Sequence, residues 1–166
     1  LIDCDMRRPR IHKIFKAGRE NGISSVLVGS GNLKDAIAPT GIENLDLIAS
    51  GPIPPNPSEI LGSASMQHLI KKLRENYKRI VIDSAPVTAV TDAVVLSKVV
   101  DGVVFVIRAA ETPRQVVQNG LAQLKAINAH ILGAVLNGVT IGKDSYYYYQ
   151  YYYSYYGDDG DKEKKN

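Results

Sequence analysis

The sequence predicts an α/β fold of three layers, in which a mostly parallel sheet is covered by helices on both faces. Three runs, RIVID at 79–83, GVVFVI at 102–107 and HILGAVLN at 130–137, are apolar almost without interruption. Such runs are typical of strands that are buried on both faces. Segments with helical spacing of their apolar residues separate the runs. This alternation favours a parallel sheet whose ligands bind at the carboxyl ends of the strands.

Local patterns predict the other elements in chain order. The opening LIDCD has the composition of the end of a buried strand. Because a domain seldom begins inside a core strand, we expect the fold to be incomplete at its N-terminus. Four prolines between positions 52 and 57 exclude a helix before Pro57, which suits a first helical position with Asn56 as the cap. A strand is predicted at 45–49, and helices or helical turns at 23–28, 33–38, 65–77, 91–100 and 113–127.

The last 25 residues differ from the rest in composition. YYYYQYYYSYYG is a low-complexity segment without an amphipathic period, and the charged GDDGDKEKKN follows it. Nine of the ten tyrosines lie between Tyr146 and Tyr156. Polar, low-complexity sequence of this kind does not form a packed core. We therefore divide the chain into an α/β domain at 1–141 and a disordered, tyrosine-rich tail at 142–166.

Composition excludes several classes of protein. The chain has 166 residues, of which 45% are hydrophobic and 22% charged, as in an ordinary globular domain. No apolar run approaches the roughly 18 residues that a transmembrane helix needs. The single cysteine, Cys4, excludes an internal disulfide and fits a reducing, cytoplasmic compartment. A net charge of +3 is too small to indicate a nucleic-acid partner.

Acidic residues follow two of the predicted strands. Asp3 and Asp5 come at the end of the first strand, and Asp83 ends RIVID. Because the carboxyl ends of parallel strands meet in one crevice, these carboxylates could meet around a hard cation such as Mg²⁺. The simpler alternative for Asp83 is a residue that caps the following loop. Arg7 and Arg8 come directly after the first pair of acids, where a guanidinium could bind phosphate or a partner's carboxylate.

These motifs carry a family resemblance that extends from Leu1 to Tyr156. LIDCDMRRP resembles the Walker A′ motif of the bacterial protein-tyrosine kinases, which are P-loop proteins of capsule and exopolysaccharide export, and IVIDSAP resembles their Walker B motif. The tyrosine-rich tail resembles their autophosphorylation cluster. GISSVLVG, LIASGPIPPNPSEIL, VTDAVVLSKVVDGVVFVIR and ILGAVLNGV also resemble that family, in the family's order. The resemblance implies a fold like that of P-loop NTPases.

The resemblance also implies roles for particular residues. Asp3, Asp5 and Asp83 match catalytic positions, with Asp5 and Asp83 expected at Mg²⁺; how Asp3 and Asp5 divide the tasks of metal ligand and base stays open. Arg7 matches the Walker A′ arginine and is expected to bind the nucleotide. Asn137 stands where related ATPases contact adenine, although a turn residue at the end of a strand is an equal alternative. Asp92 is interpreted separately, as a residue of a helix N-terminus with a smaller chance of contacting nucleotide or metal.

The activity implied is that of an autokinase that uses ATP and Mg²⁺ and phosphorylates its own tail in trans. The implied partners are further copies of the chain in a ring that phosphorylation disperses, a membrane activator protein or the protein's own membrane domain, and a tyrosine phosphatase. The implied location is the cytoplasmic face of the bacterial membrane. The expected phosphorylation sites are Tyr146, Tyr147, Tyr148, Tyr149, Tyr151, Tyr152, Tyr153, Tyr155 and Tyr156.

One motif of the family is not in the sequence. A P-loop requires G-x-x-x-x-G-K-[ST], in which backbone N–H groups and the lysine hold the phosphates. The one Gly-Lys pair, Gly142-Lys143, is followed by Asp144. Because the family carries this motif upstream of its Walker A′ motif, we expect a truncation and an isolated fragment without activity. Two alternatives stay open: a phospho-acceptor scaffold without catalysis, and a related ATPase of the partitioning or cell-division positioning type.

Overall fold

The computed structural model describes residues 1–140. Their order is β1 (Ile2–Asp3), α1 (Ile11–Ile14), α2 (Ile23–Leu27), α3 (Leu33–Ala36), β2 (Ile37–Pro39), β3 (Asp46–Ile48), α4 (Pro57–Leu61), α5 (Ala64–Arg74), β4 (Ile82–Asp83), α6 (Asp92–Leu96), β5 (Val103–Arg108), α7 (Arg114–Ala126) and β6 (Ile131–Asn137). The helices and strands expected from the sequence are present, except that positions 37 and 38, expected as the end of a helix, belong to strand β2 because they pair with β3. Strand β4 is shorter than the apolar run that predicted it.

The strands form two sheets within the described residues. Four strands lie in the order β2-β3-β1-β4, with β1 parallel to both β3 and β4. Strands β5 and β6 form a separate parallel pair. Strand β2 runs antiparallel to β3; positions 40–45 alone connect the two, which is too short for a parallel crossover. The α/β class and the predominance of parallel pairs are confirmed.

The core lies between the four-stranded sheet and helix α5. Met66, Leu69, Ile70 and Leu73 share one face of this helix and are buried, as their spacing predicted. The side chain of Ser63 caps the helix by accepting a hydrogen bond from Met66 N at 3.3 Å. These contacts hold the sheet, and therefore the carboxyl ends of its strands, in place.

The N-terminus of helix α4 lacks the side-chain cap that the sequence predicted. The helix begins at Pro57 with Asn56 in the capping position, but the side chain of Asn56 makes no capping bond to the backbone. Its amide Nδ2 instead donates to Glu59 Oε2 at 2.6 Å. The start of α4 is therefore set by the fixed φ of Pro57 and by a bond between two side chains.

The expectation of burial on both faces is wrong for β5 and β6 within residues 1–140. Val104, Val106 and Leu136 are more than half exposed. Helix α7 packs beside β5, where a Cβ at Gly120 would lie 3.1 Å from the ring of Phe105. The apolar runs identified the strands correctly, but an apolar run does not specify which elements cover it. In the described part of the chain, no helix is long and apolar enough to cross a membrane.

Tyr77 joins the end of helix α5 to β3. Its hydroxyl donates to Asp46 Oδ2 at 2.7 Å. We expect Tyr77→Phe to lower the free energy of unfolding by about 1 kcal/mol near neutral pH, because one hydrogen bond to a carboxylate is lost. Urea unfolding followed by circular dichroism measures this difference, and an unchanged midpoint would show that the bond adds nothing to stability.

The same bond makes a prediction about pH. The hydrogen bond to Asp46, with partial burial and the charge of Asp46, raises the pKa of Tyr77 above its usual value. A raised pKa in the folded state means that the stabilisation is complete below the unfolded pKa of about 10 and disappears as the pH rises through the folded value. The difference in the free energy of unfolding between the parent protein and Tyr77→Phe should therefore disappear at strongly alkaline pH.

Candidate functional site

The ends of β1 and β4 bring two of the predicted acids together. Asp3 and Asp83 are paired across the parallel strands, and Cys4 N donates to Asp83 O at 2.9 Å. Neighbouring strands lie about 4.8 Å apart, so both side chains leave the sheet at its carboxyl end. Asp5 follows in the loop after β1, and its charge reaches Asp83. The structure thus pairs Asp3 with Asp83 at the carboxyl end of the sheet and places Asp5 in the adjoining loop, two residues after Asp3.

Asp3 and Asp5 hold the same loop in different ways. Asp3 is fully buried, and its two oxygens accept from Asp5 N at 3.2 Å and Ile11 N at 3.3 Å. Asp5 Oδ1 accepts from Arg7 N at 3.1 Å and Arg8 N at 2.9 Å. Among residues 1–140, no hydrogen bond involves Asp5 Oδ2. Both oxygens of Asp3 therefore stabilise the loop after β1, whereas within residues 1–140 only one oxygen of Asp5 does so.

Burial, and to a smaller extent neighbouring negative charge, raises the pKa values of two acids of the cluster. Burial raises the pKa of Asp3, and the two backbone hydrogen bonds only partly oppose this. The pKa of Asp83, whose residue lies at the exposed edge, is raised first by partial desolvation and then by the charges of Asp3 and Asp5. Raised pKa values mean that the ionised forms of Asp3 and Asp83 are disfavoured, and a bound cation would stabilise these ionised forms.

Arg7 has a partner that the sequence did not reveal. Its Nε donates to Asp92 Oδ2 at 2.8 Å and its Nη2 to Asp92 Oδ1 at 3.0 Å. The carboxylate of Asp92 is fully buried, and the Arg7 side chain is 39% exposed. Ser58 Oγ also donates to Asp92 Oδ1, at 2.5 Å. In the sequence, Ser58 lies in SEI after the prolines and Asp92 lies in VTDA. The local pattern of each segment indicates only the start of a helix.

Relatives in sequence and a solved structure identify the family. CapB of Staphylococcus aureus is 38% identical over 148 residues, a match that covers 89% of this chain and 65% of CapB. Tyrosine-protein kinase YwqD of Bacillus subtilis is 36% identical, with 89% of this chain and 62% of YwqD covered. The crystal structure of the VpsO kinase domain matches with a TM-score of 0.78 and 35% identity, over 84% of this chain and 69% of that one. The chain belongs to the bacterial tyrosine-protein kinases.

The chain spans somewhat less than two thirds of the two bacterial relatives CapB and YwqD. No family model matches it. The family and the P-loop NTPase-like fold inferred from LIDCDMRRP, IVIDSAP and the tyrosine-rich tail are confirmed. The roles of individual residues stay predictions.

Magnesium is the ion that tyrosine-protein kinases of this family are expected to use with ATP. In the described part of the chain, no three His, Cys, Asp or Glu side chains are grouped to hold a metal ion. Mg²⁺ commonly takes one or two carboxylates and completes its shell with water and phosphate oxygens. The oxygen donors of Asp5 and Asp83 fit this requirement, so the residues present suit an ion that arrives with a nucleotide.

Asn137 lies in a different sheet from Asp3 and Asp83. Asn137 ends β6, in the other sheet, where its Oδ1 accepts from Gly138 N at 2.9 Å. Within residues 1–140, no hydrogen bond or ion pair joins it to the three carboxylates. This contact agrees with the turn alternative, and an adenine contact stays a prediction. The nine tyrosines expected to be phosphorylated, and the division at 141/142, lie outside the described residues.

Proposed function

We propose that the protein containing this chain transfers the γ-phosphoryl group of ATP to tyrosine hydroxyls in the tail of another copy. The observation that carries the proposal is the cluster of Asp3, Asp5 and Asp83 at the joined ends of β1 and β4, in a chain of the bacterial tyrosine-protein kinase family. Relatives of the chain are named tyrosine-protein kinases. Capsule or exopolysaccharide synthesis is the process that we propose it regulates.

The proposal gives Asp5 and Asp83 the chemical tasks and Asp3 a structural one. Asp5, through Oδ2, and Asp83 would hold Mg²⁺, which supplies positive charge to the phosphate oxygens when it is bound. Asp3, whose oxygens hold the backbone of Asp5 and Ile11, keeps the loop in shape. We assign the proton of the tyrosine hydroxyl to Asp5 or Asp83, because Asp3 is fully buried.

The transfer balances without any further reactant. The tyrosine oxygen forms the new P–O bond, the bond between the γ-phosphorus and the bridging oxygen breaks, and ADP leaves with that electron pair. The tyrosine proton passes to a carboxylate. Arg7 would approach a phosphate oxygen with Nη1, because its Nε and Nη2 are held by Asp92. Asn137 would contact adenine.

Phosphorylation of the tail offers a physical switch. Each phosphate adds a charge of about −1.5 to −2, so several within the segment 146–156 would repel one another and the acidic site. We propose that an unmodified tail binds in a neighbouring subunit and holds a ring, which phosphorylation disperses. A membrane activator or a membrane domain of the same protein would place the kinase at the inner face of the membrane, and a tyrosine phosphatase would reset it.

The test is phosphorylation of the full-length protein with γ-labelled ATP. We expect label on the tail of an Asp5→Asn variant only when an active copy without residues 142–166 is added. General acid–base and electrostatic contributions predict that Asp5→Asn alone loses at least about 100-fold in rate. Full activity of Asp5→Asn, or label that does not pass between copies, would contradict the proposal.

A further inference from the structure

Three separate segments of the chain meet at one buried carboxylate. Arg7 lies in the loop after β1, Ser58 in the first turn of α4, and Asp92 at the start of α6. Arg7 donates two hydrogen bonds to Asp92 and a third, from Nη2 at 3.2 Å, to Ser58 Oγ. We call these three residues the Arg7–Asp92 clamp. Thr91 Oγ1 also lies 3.2 Å from Ser58 Oγ.

The geometry of the clamp fixes the orientation of the Arg7 side chain relative to Asp92. The planar guanidinium of Arg7 meets both oxygens of Asp92, an arrangement that fixes orientation as well as distance. Burial by itself would raise the pKa of Asp92, but the bonds from Arg7 and Ser58 and the charge of Arg7 outweigh it and hold the pKa below its usual range. Asp92 is thus a buried, hydrogen-bonded carboxylate that anchors Arg7.

Arg7 connects this anchor to the proposed reaction centre. Its backbone N–H donates to Asp5 Oδ1, while its side chain is held by Asp92. The neighbouring Arg8 N–H donates to the same oxygen of Asp5. Arg7 therefore links Asp92, through its side chain, to the Asp5 carboxylate, through its backbone N–H.

We propose that Asp92 is a positioning residue: by clamping Arg7 together with Ser58, it fixes the loop that aims Asp5 Oδ2 at its partner. This inference rests on the proposed function, in which Asp5 holds the metal. A direct contact between Asp92 and nucleotide or metal is not compatible with the structure, because its carboxylate is fully buried and both oxygens accept hydrogen bonds from Arg7 or Ser58.

The first test measures the loop in the full-length protein without nucleotide. Hydrogen exchange at the amides of Arg7 and Arg8 reports whether they stay bonded to Asp5. In Asp92→Asn we expect these amides to exchange roughly tenfold faster or more, because a charge-assisted bond is lost. The amides of Leu69 and Ile70, in the core face of α5, should not change. Faster exchange at all four would indicate general destabilisation and overturn the proposal.

The second test is kinetic. Asp92→Asn should lower kcat by roughly tenfold or more and leave KM for ATP within about twofold, since a misaimed Asp5 affects the transition state more than binding. Ser58→Ala should show the same pattern more weakly, which keeps the proposal testable if Asp92→Asn does not fold. The matched control is Asp101→Asn, which removes an exposed carboxylate paired with Arg74 at 2.7 Å and should leave both measurements unchanged.

The two proposals fail in different ways. Unchanged exchange at Arg7 and Arg8 in both variants would overturn the positioning role, whatever the kinetics. An unmodified protein that has no kinase activity, but shows the expected exchange in Asp92→Asn, would overturn the proposed function and support the clamp's hold on the loop. A fall in ATP affinity with unchanged kcat would assign Asp92 to binding and contradict the proposal.

Discussion

Asp83→Asn is expected to lower the rate of tail phosphorylation by at least about 100-fold and, at the same time, to raise the melting temperature of the ligand-free protein. The loss of activity follows from the proposed role of Asp83 at Mg²⁺. The gain in stability follows from its environment, because the pKa of Asp83 is raised by partial desolvation and by the charges of Asp3 and Asp5.

The sign of the stability effect can be derived from the direction of the shift. A carboxyl group whose folded pKa lies above its unfolded value of about 3.9 binds its proton more tightly in the folded state. Its ionisation therefore costs stability as the pH rises from the unfolded to the folded pKa, and this cost persists at neutral pH. Asparagine at position 83 carries no charge, so the variant should lack this cost.

Thermal unfolding of both proteins, with and without Mg²⁺ and a nucleotide, measures the effect. The unmodified protein should gain melting temperature when these ligands are added, whereas Asp83→Asn should gain little. The control is Asp35→Asn, an exposed acid on α3, which should change neither property. A lower melting temperature in ligand-free Asp83→Asn would show that the carboxylate stabilises the fold and would contradict the electrostatic argument.

Gly22→Ala is expected to lower the free energy of unfolding by about 3 kcal/mol or more. A Cβ at this position would overlap the carbonyl oxygen of Ala49 and the amide nitrogen of Gly51. Both obstacles are backbone atoms, and neighbouring hydrogen bonds hold them in place: Ile23 N donates to Ala49 O at 2.8 Å and Ser24 N to Ser50 O at 3.0 Å. The clash therefore has no inexpensive relief.

The control for this variant is Gly41→Ala. Gly41 has φ +79° and no atom within 4 Å of an added Cβ, so its substitution costs only the left-handed backbone, about 1 kcal/mol. Urea unfolding compares the two directly. If Gly22→Ala lowers the free energy of unfolding no more than Gly41→Ala does, the close approach of the loop after β3 to the start of α2 is not the source of the expected destabilisation.

The loop after β3 leads through the prolines to Ser58, so Gly22→Ala should also lose part of the activity.

Short-range sequence patterns correctly predicted helix α5 and the acidic ends of two strands. The helical spacing of Met66, Leu69, Ile70 and Leu73 placed α5 correctly, because a helix buries residues that recur every three or four positions. Acidic residues after apolar runs placed Asp3 and Asp83 at adjacent strand ends. These predictions succeeded because each depends on neighbours in the sequence and on the general rule that parallel strands share one carboxyl end.

Other features depended on contacts that no local pattern specifies. Positions 37 and 38 were expected as the end of a helix, but their pairing with β3 makes them part of strand β2. The exposure of Val104 and Leu136 depends on which elements cover β5 and β6. The side chain of Asn56 makes no capping bond and instead donates to Glu59, a contact that depends on the rotamers of both side chains.

The sequence by itself determined the family, the α/β class, the order of the elements and the three acids at the strand ends. The tertiary structure alone decided how those acids differ: Asp3 buried within the loop, Asp5 with one oxygen outside any hydrogen bond of residues 1–140, and Asp83 at an exposed edge. It also decided the partner of Arg7, since Asp92 lies 85 positions away along the chain. The physical reason is that burial and ion pairing are properties of segments brought together by folding, whereas motif and periodicity are properties of a single segment.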